Sequence, residues 1–239
     1  MPFRALLDLL FPPLCHVCKA FIPKAGELLI CADCIQKINF LVSPICIICG
    51  APFATESGAD HTCGACLIHK PFHSCRSATV LAGPVQELIH WLKYGSRVHL
   101  CQPLGVLTGS SLASFCGDAS PDLIIPVPLH RKRLRQRGFN QSQLIGAVLA
   151  KKWQVPMEIG HLRRIRWTDP QTGLDARDRV SNVSGAFAVK DPKRLEGKRV
   201  LLVDDVLTTG STMRACAESL REARVAAVFA VTVARGVQP

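Results

Sequence analysis

Fourteen residues, Arg199 to Thr212, read R-V-L-L-V-D-D-V-L-T-T-G-S-T and restrict the possible folds of this chain more than any other stretch. Val200, Leu201, Leu202 and Val203 are apolar at consecutive positions, which fits a strand covered on both faces in a parallel sheet, not a half-exposed one. Asp204 and Asp205 follow at once, and the carboxyl ends of such strands are where open α/β sheets hold ligands. Thr208, Thr209, Gly210, Ser211 and Thr212 then offer backbone N–H groups and hydroxyls that can wrap one phosphate. A helix beginning near Ser211 directs its positive end at the same point. Carboxylates only accept hydrogen bonds, so the two acids suit sugar hydroxyls. A phosphate in the loop and a diol on the acids describe a ribose 5-phosphate. The competing reading is a strand ending in a solvated turn; a magnesium phosphatase fits less well, because the acids precede the phosphate loop and supply no nucleophile.

The order of apolar strand, Asp-Asp, two apolar residues and Thr-Thr-Gly-x-Thr resembles the phosphoribosyl pyrophosphate (PRPP) motif of type I phosphoribosyltransferases. The resemblance implies an α/β fold, a parallel sheet flanked by helices, with Asp204 and Asp205 as catalytic carboxylates and Thr208 to Thr212 as the PRPP loop.

Residues 15 to 66 carry four pairs: Cys15 with Cys18, Cys31 with Cys34, Cys46 with Cys49, and Cys63 with Cys66. A Cys-x-x-Cys turn places two sulfurs on one side of a tight knuckle, and two facing knuckles complete a tetrahedral thiolate site. Sequential pairing of the knuckles is the first expectation and interleaved pairing the alternative. Such closed sites are structural, and they would hold together a region too poor in apolar residues to fold alone. A disulfide framework is disfavoured in a chain read as cytoplasmic. Cys75, Cys101, Cys116 and Cys216 have no ligand spacing and read as buried small hydrophobes.

The composition turns from cysteine-rich to apolar-periodic near Pro71, which divides the chain into a zinc-ribbon region, 1–70, and a transferase domain, 71–239. With 239 residues, 48% of them hydrophobic, and mean hydropathy +0.21, a folded core is expected. The formal charge is +11. Eight zinc-bound thiolates would reduce it to about +7, still a balance that favours polyanions. No run is long enough to cross a bilayer and no secretion signal is recognisable, so a cytoplasmic protein without membrane insertion is expected; Leu6 to Leu14 reads as a short packing helix.

In the body, the expected elements are a strand over 77–81, helices over 84–94 and 102–113, a buried strand over 122–128 and a last strand over 225–234. Lys93, at a helix end, reads first as a snorkelling lysine, with reach to a phosphate as the alternative. The junction from Pro126 to His130, with Pro128 as a rigid exit, is the pyrophosphate candidate. Arg131, Lys132, Arg133, Arg135 and Arg137 follow, and Leu134 among them suggests that one side is packed. Arg131, Lys132, Arg133 and Arg135 are candidates for single-stranded DNA, against the alternative of a solvated cationic face. DNA binding through them would be electrostatic and salt-dependent. The segment from Arg163 to Asn182 reads as a mobile loop that closes over the reacting sugar. Arg214, Arg221 and Arg224 are read as solvent-facing.

Taken together, the cysteine knuckles, Pro-Val-Pro, Arg-Gly-Phe-Asn-Gln at 137–141, the segment from Gln171 to Asn182 and the PRPP motif resemble the ComF family (ComFC/GntX-like) over nearly the whole chain. This resemblance implies a double zinc ribbon with two structural zinc ions, a magnesium–PRPP site, and a link to DNA uptake and natural transformation. Single-stranded DNA and a DNA-uptake helicase are the implied partners. The matching positions are Arg137, Gly138, Asn140, Gln141, Arg164, Gln171, Arg177 and Asn182; Arg137, Arg164, Gln171 and Arg177 join Pro128 as pyrophosphate or loop candidates. The expected reaction is transfer of phosphoribose with release of pyrophosphate, and the alternative is a PRPP-sensing or DNA-binding protein without turnover. A zinc-dependent adaptor would leave the phosphate loop unexplained. No base-binding hood is recognisable in the sequence.

Overall fold

A computed structural model of the chain describes residues 12–23, 26–55, 57–167 and 185–236. Its strands are β1 (Ser74–Val80), β2 (Leu123–Pro126), β3 (Leu162–Arg164), β4 (Phe187–Val189), β5 (Arg199–Leu207) and β6 (Ala227–Arg235). Four of them form a parallel sheet in the order β1-β6-β5-β2, and β3 pairs antiparallel with β4. The consecutive apolar residues of β5 divide between two cores as a pleated strand requires. Leu201 and Val203 enter the core beneath the helices Gly83–Tyr94, Cys101–Ser111 and Gln141–Trp153, while Val200 and Leu202 face the helix Ser211–Glu222. Neither core is open to solvent, so the run is apolar throughout and does not alternate.

Both outer strands of the sheet are covered. On β1, Val80 N donates to Asn39 O and Leu41 N to Ala78 O, so the segment joining the two ribbons occupies that edge. On β2, Ile124 N donates to Pro156 O and Glu158 N to Ile124 O. Unpaired edge groups are templates for association, and both are satisfied within the chain.

The sheet's helices pack closely where glycine permits. A Cβ on Gly105 would lie 2.6 Å from the Cβ of Val148, so the helices Cys101–Ser111 and Gln141–Trp153 approach at a distance that a larger residue would prevent. Trp153 Nε1 donates to Gly109 O at 3.0 Å across the same contact.

Several expectations change. The expected helix over 102–113 ends at Ser111, and a separate helix, Ala113–Ala119, follows. The basic run forms its own helix, Arg131–Arg137, which buries none of its residues. Leu134 is 40% exposed there, contrary to the packed side expected of it, because one leucine among six polar residues gives the helix no apolar face. Cys75, Cys101, Cys116 and Cys216 are buried as expected, and burial pushes the Cys75 thiol up to about 12. No helix among the described residues is long and apolar enough to cross a membrane.

Candidate functional site

The sheet's carboxyl edge brings three separate parts of the sequence together. Asp204 and Asp205 stand near the end of β5, the residues from Val127 to Leu129 leave β2, and Lys93 ends the helix Gly83–Tyr94. With Thr208 to Thr212, Gln141, Ser142 and Arg164, they line a pocket of about 220 Å³.

Gly210 is the N-cap of Ser211–Glu222, at φ +75°, a left-handed conformation that favours glycine. Thr209 Oγ1 and Ser211 Oγ lie 2.7 Å apart and fix the turn. The N–H groups of that helix's first turn have no acceptor within the helix, so the loop presents donors and a partial positive charge to the pocket.

The acids are held from three sides. Ser142 Oγ donates to Asp204 Oδ1 at 2.7 Å, Asp205 N donates to the same oxygen at 2.9 Å, and Lys93 Nζ lies 2.7 Å from Asp205 Oδ2. Burial, reinforced by the negative charge of Asp205, raises the Asp204 carboxyl to about 7; Ser142 and Lys93 oppose the rise. Lys93 therefore points into the site, which corrects its reading as a snorkelling lysine. Two adjacent carboxylates out of water need a cation more than the lysine needs solvent.

The 137–142 segment is a brace. Asn140 Oδ1 accepts from Ser142 N at 3.0 Å and caps the helix Gln141–Trp153, while Asn140 Nδ2 donates to Val127 O at 3.0 Å and fixes the exit from β2. Arg137 Nη1 donates to Gln141 Oε1 at 2.7 Å and is not among the pocket-lining residues. Burial lowers the Arg137 guanidinium, with Asp205 opposing. Pro128 and Arg164 line the pocket; Arg131, Lys132, Arg133 and Arg135 do not. Gln171, Arg177 and Asn182 lie outside the described residues. The sequence reading missed Ser142, whose signal was its position two residues after a helix-capping Asn.

Removing Lys93 exposes the electrostatics. A carboxyl whose folded pKa is raised stabilises the fold fully below its unfolded value, about 4, and that contribution is lost as pH rises through about 7. Lys93→Met pushes Asp204 higher still, so the loss extends further up in pH. Thermal unfolding is expected to show Lys93→Met destabilised by about 2 kcal/mol at pH 8 and by less at pH 5. Equal stability to wild type at pH 8 would mean that the pair contributes nothing.

In the N-terminal region, Cys15, Cys18, Cys31 and Cys34 form one cluster and Cys46, Cys49, Cys63 and Cys66 another, with each set of sulfurs within 4.8 Å of one another. Sequential pairing is thus the arrangement adopted. The Cys18–Cys31 and Cys49–Cys63 sulfurs lie 3.6 and 3.8 Å apart. A zinc tetrathiolate with bonds of about 2.3 Å has edges of about 3.8 Å, so the donors fit zinc. Burial opposes ionisation of Cys15 and Cys46, but backbone N–H donors, Cys31 N to Cys15 and Cys63 N to Cys46 among them, bring both thiols down to about 6. These are two zinc-binding sites, each built from four cysteines.

Fold and sites together define a double zinc ribbon joined to a type I phosphoribosyltransferase fold. Residues 6–67 match the family described as "Double zinc ribbon domain" and residues 105–238 "Phosphoribosyl transferase domain". The chain is 35% identical over 223 residues to "DNA utilization protein YhgH" of Escherichia coli K12, covering 91% of this chain and 94% of that one. It is 32% identical to "Competence protein F" of Haemophilus influenzae, covering 81% and 84%, and 23% identical to "Competence protein ComFC" of Bacillus subtilis, covering 86% and 84%. This chain belongs to the ComF family.

Proposed function

We propose that the protein binds magnesium–PRPP in the 220 Å³ pocket and transfers its phosphoribosyl group to an acceptor with release of pyrophosphate. The supporting observation is that two acids, the Thr208–Thr212 loop and the exit from β2 line one pocket. In this reading Thr208 to Thr212 hold the 5-phosphate, and Asp204 and Asp205 accept hydrogen bonds from the ribose diol. Residues from Val127 to Leu129 face the pyrophosphate.

The acceptor's lone pair forms a bond to C1 as the bond from C1 to the pyrophosphate oxygen breaks, and the electron pair leaves on pyrophosphate. Positive charge developing at C1 is favoured by the two carboxylates. Magnesium, when bound with the ligand, neutralises pyrophosphate charge; Asp204 and Asp205 are the pocket carboxylates available to it. Lys93 pairs with Asp205 and lines the pocket that would receive the incoming anion. Arg164 is a further cation facing that anion.

The names of the relatives support a role in DNA utilisation or competence, and a cytoplasmic setting is part of the same proposal. The solvent-exposed helix Arg131–Arg137 is the surface proposed for single-stranded DNA. Calorimetric titration of the zinc-loaded protein with magnesium–PRPP, followed by a pyrophosphate-release assay across candidate acceptors, tests the reading. No heat of binding removes it; binding without pyrophosphate release for any acceptor favours a sensor.

A further inference from the structure

The second zinc ribbon stands against the loop that ends β5. Leu207, Thr208, Thr209 and Gly210 line a second cavity, of about 130 Å³, together with Cys49 and Cys66 of that ribbon and Arg235 of β6. The knuckle from Cys46 to Cys49 gives all four of its carbonyls to the transferase body. Arg76 Nη1 donates to Cys46 O at 3.4 Å and to Ile47 O at 3.1 Å, Cys75 N donates to Ile48 O at 2.6 Å, and Arg235 Nη1 donates to Cys49 O at 2.8 Å. Arg235 continues the connection to the loop. It pairs in register with Leu207, and the N–H of the next residue, Gly236, donates to Leu207 O at 2.9 Å. One residue therefore holds a zinc-ligand carbonyl with its side chain and the start of the loop through its strand.

Little besides metal can keep the knuckle in place. Its apolar cluster consists of the four zinc cysteines with Ile48, Ala51 and Phe53, and a segment whose core is its own ligand set folds as the metal binds. Zinc with four thiolates carries a net charge of about −2, which the guanidiniums of Arg76 and Arg235 complement. Loss of the metal removes that charge and the shape of the knuckle together. The half-buried Arg235, which has no ion pair among the described residues, then loses its acceptor, and a donor left unsatisfied costs more than the bond contributed.

We propose that Arg235 is a positioning residue that couples the second zinc site to the Thr208–Thr212 loop, so that zinc in this ribbon and magnesium–PRPP strengthen each other's binding. The proposal rests on the donor reading of the first pocket. The coupling is reciprocal: the factor that zinc adds to PRPP affinity is the factor that PRPP adds to zinc affinity. No cysteine of the first ribbon lines either cavity, so its zinc is the internal control.

Zinc affinity is read by competition with a zinc-selective chromophoric chelator in excess magnesium, with and without PRPP. Wild type is expected to hold one zinc about tenfold more tightly when PRPP is present and the other unchanged. Cys46→Ser, retaining the first zinc alone, is expected to bind magnesium–PRPP about tenfold more weakly by calorimetry, with no effect of PRPP on the zinc that remains. Arg235→Met is expected to keep both zinc ions, to bind magnesium–PRPP about fivefold more weakly, and to lose the tightening of zinc by PRPP. A merely structural role for Arg235 would leave that tightening in place. Equal PRPP affinity in wild type and Cys46→Ser, or tightening that persists in Arg235→Met, overturns the proposal and leaves the donor reading standing. Absence of PRPP binding to the zinc-loaded wild type removes the donor reading, and this proposal with it.

Discussion

Asp204→Asn combined with Asp205→Asn is expected to lower magnesium–PRPP affinity by about a hundredfold or more while the protein stays folded. Each acid lost removes a charge-assisted hydrogen bond worth about 1.5 to 3 kcal/mol, and the two act on one diol. The fold survives because an asparagine oxygen at 204 still accepts from Ser142, and the amides remove the repulsion between neighbouring carboxylates. Acidity separates the two residues. Burial and the charge of Asp205 bring Asp204 to about 7, and the ribose hydroxyls need its ionised form as an acceptor. Wild-type affinity should therefore rise from pH 6 to pH 8, and Asp204→Asn alone should lose the part of that rise due to this carboxyl. Calorimetry across that range reads both effects. Equal affinity in wild type and the double variant would remove the acids from the ligand.

The zinc sites should differ in what their loss does. Protein purified without chelator is expected to hold two zinc ions per chain, and Cys15→Ser or Cys46→Ser to reduce that to one. A structural zinc contributes on the order of 10 kcal/mol to the segment it folds. The ribbons differ in what they pack against. Cys15, Ile30, Cys34 and Ile38 belong to the large core beneath the sheet, whereas Cys46, Ile48 and Cys66 form a small cluster of their own. Cys15→Ser should lower the unfolding temperature of the transferase body, and Cys46→Ser should release the second ribbon with a smaller effect on it. Metal analysis and calorimetry test the pair. A single zinc in wild type, or the same loss of stability from both substitutions, would contradict this division.

The local chemistry of both sites was legible in the chain. Residues 199–212 carry strand, acids and the proposed phosphate loop without interruption, and each feature depends on near neighbours: an apolar run for burial, a glycine for a positive φ, hydroxyls for the turn. The cysteine knuckles are similar, because a Cys-x-x-Cys turn makes half a zinc site by itself. Sequential pairing, one of two arrangements the spacing allowed, was decided only when the knuckles packed.

What the sequence left undetermined depends on elements far apart in the chain. Lys93 and Asp205 meet from opposite halves of the transferase body, and nothing around Lys93 distinguishes a lysine reaching a buried carboxylate from one reaching solvent. Ser142 is equally plain until β5 brings Asp204 to it. Arg214 read as a surface charge because helix periodicity cannot register the second ribbon, with which it lines one cavity. Local sequence determined the zinc ligands and the groups proposed to bind phosphate and diol. Tertiary structure decided which charges face one another, because burial and the approach of distant strands set the local dielectric and the partners, and these govern the acidity of Asp204 and the pairing of Lys93.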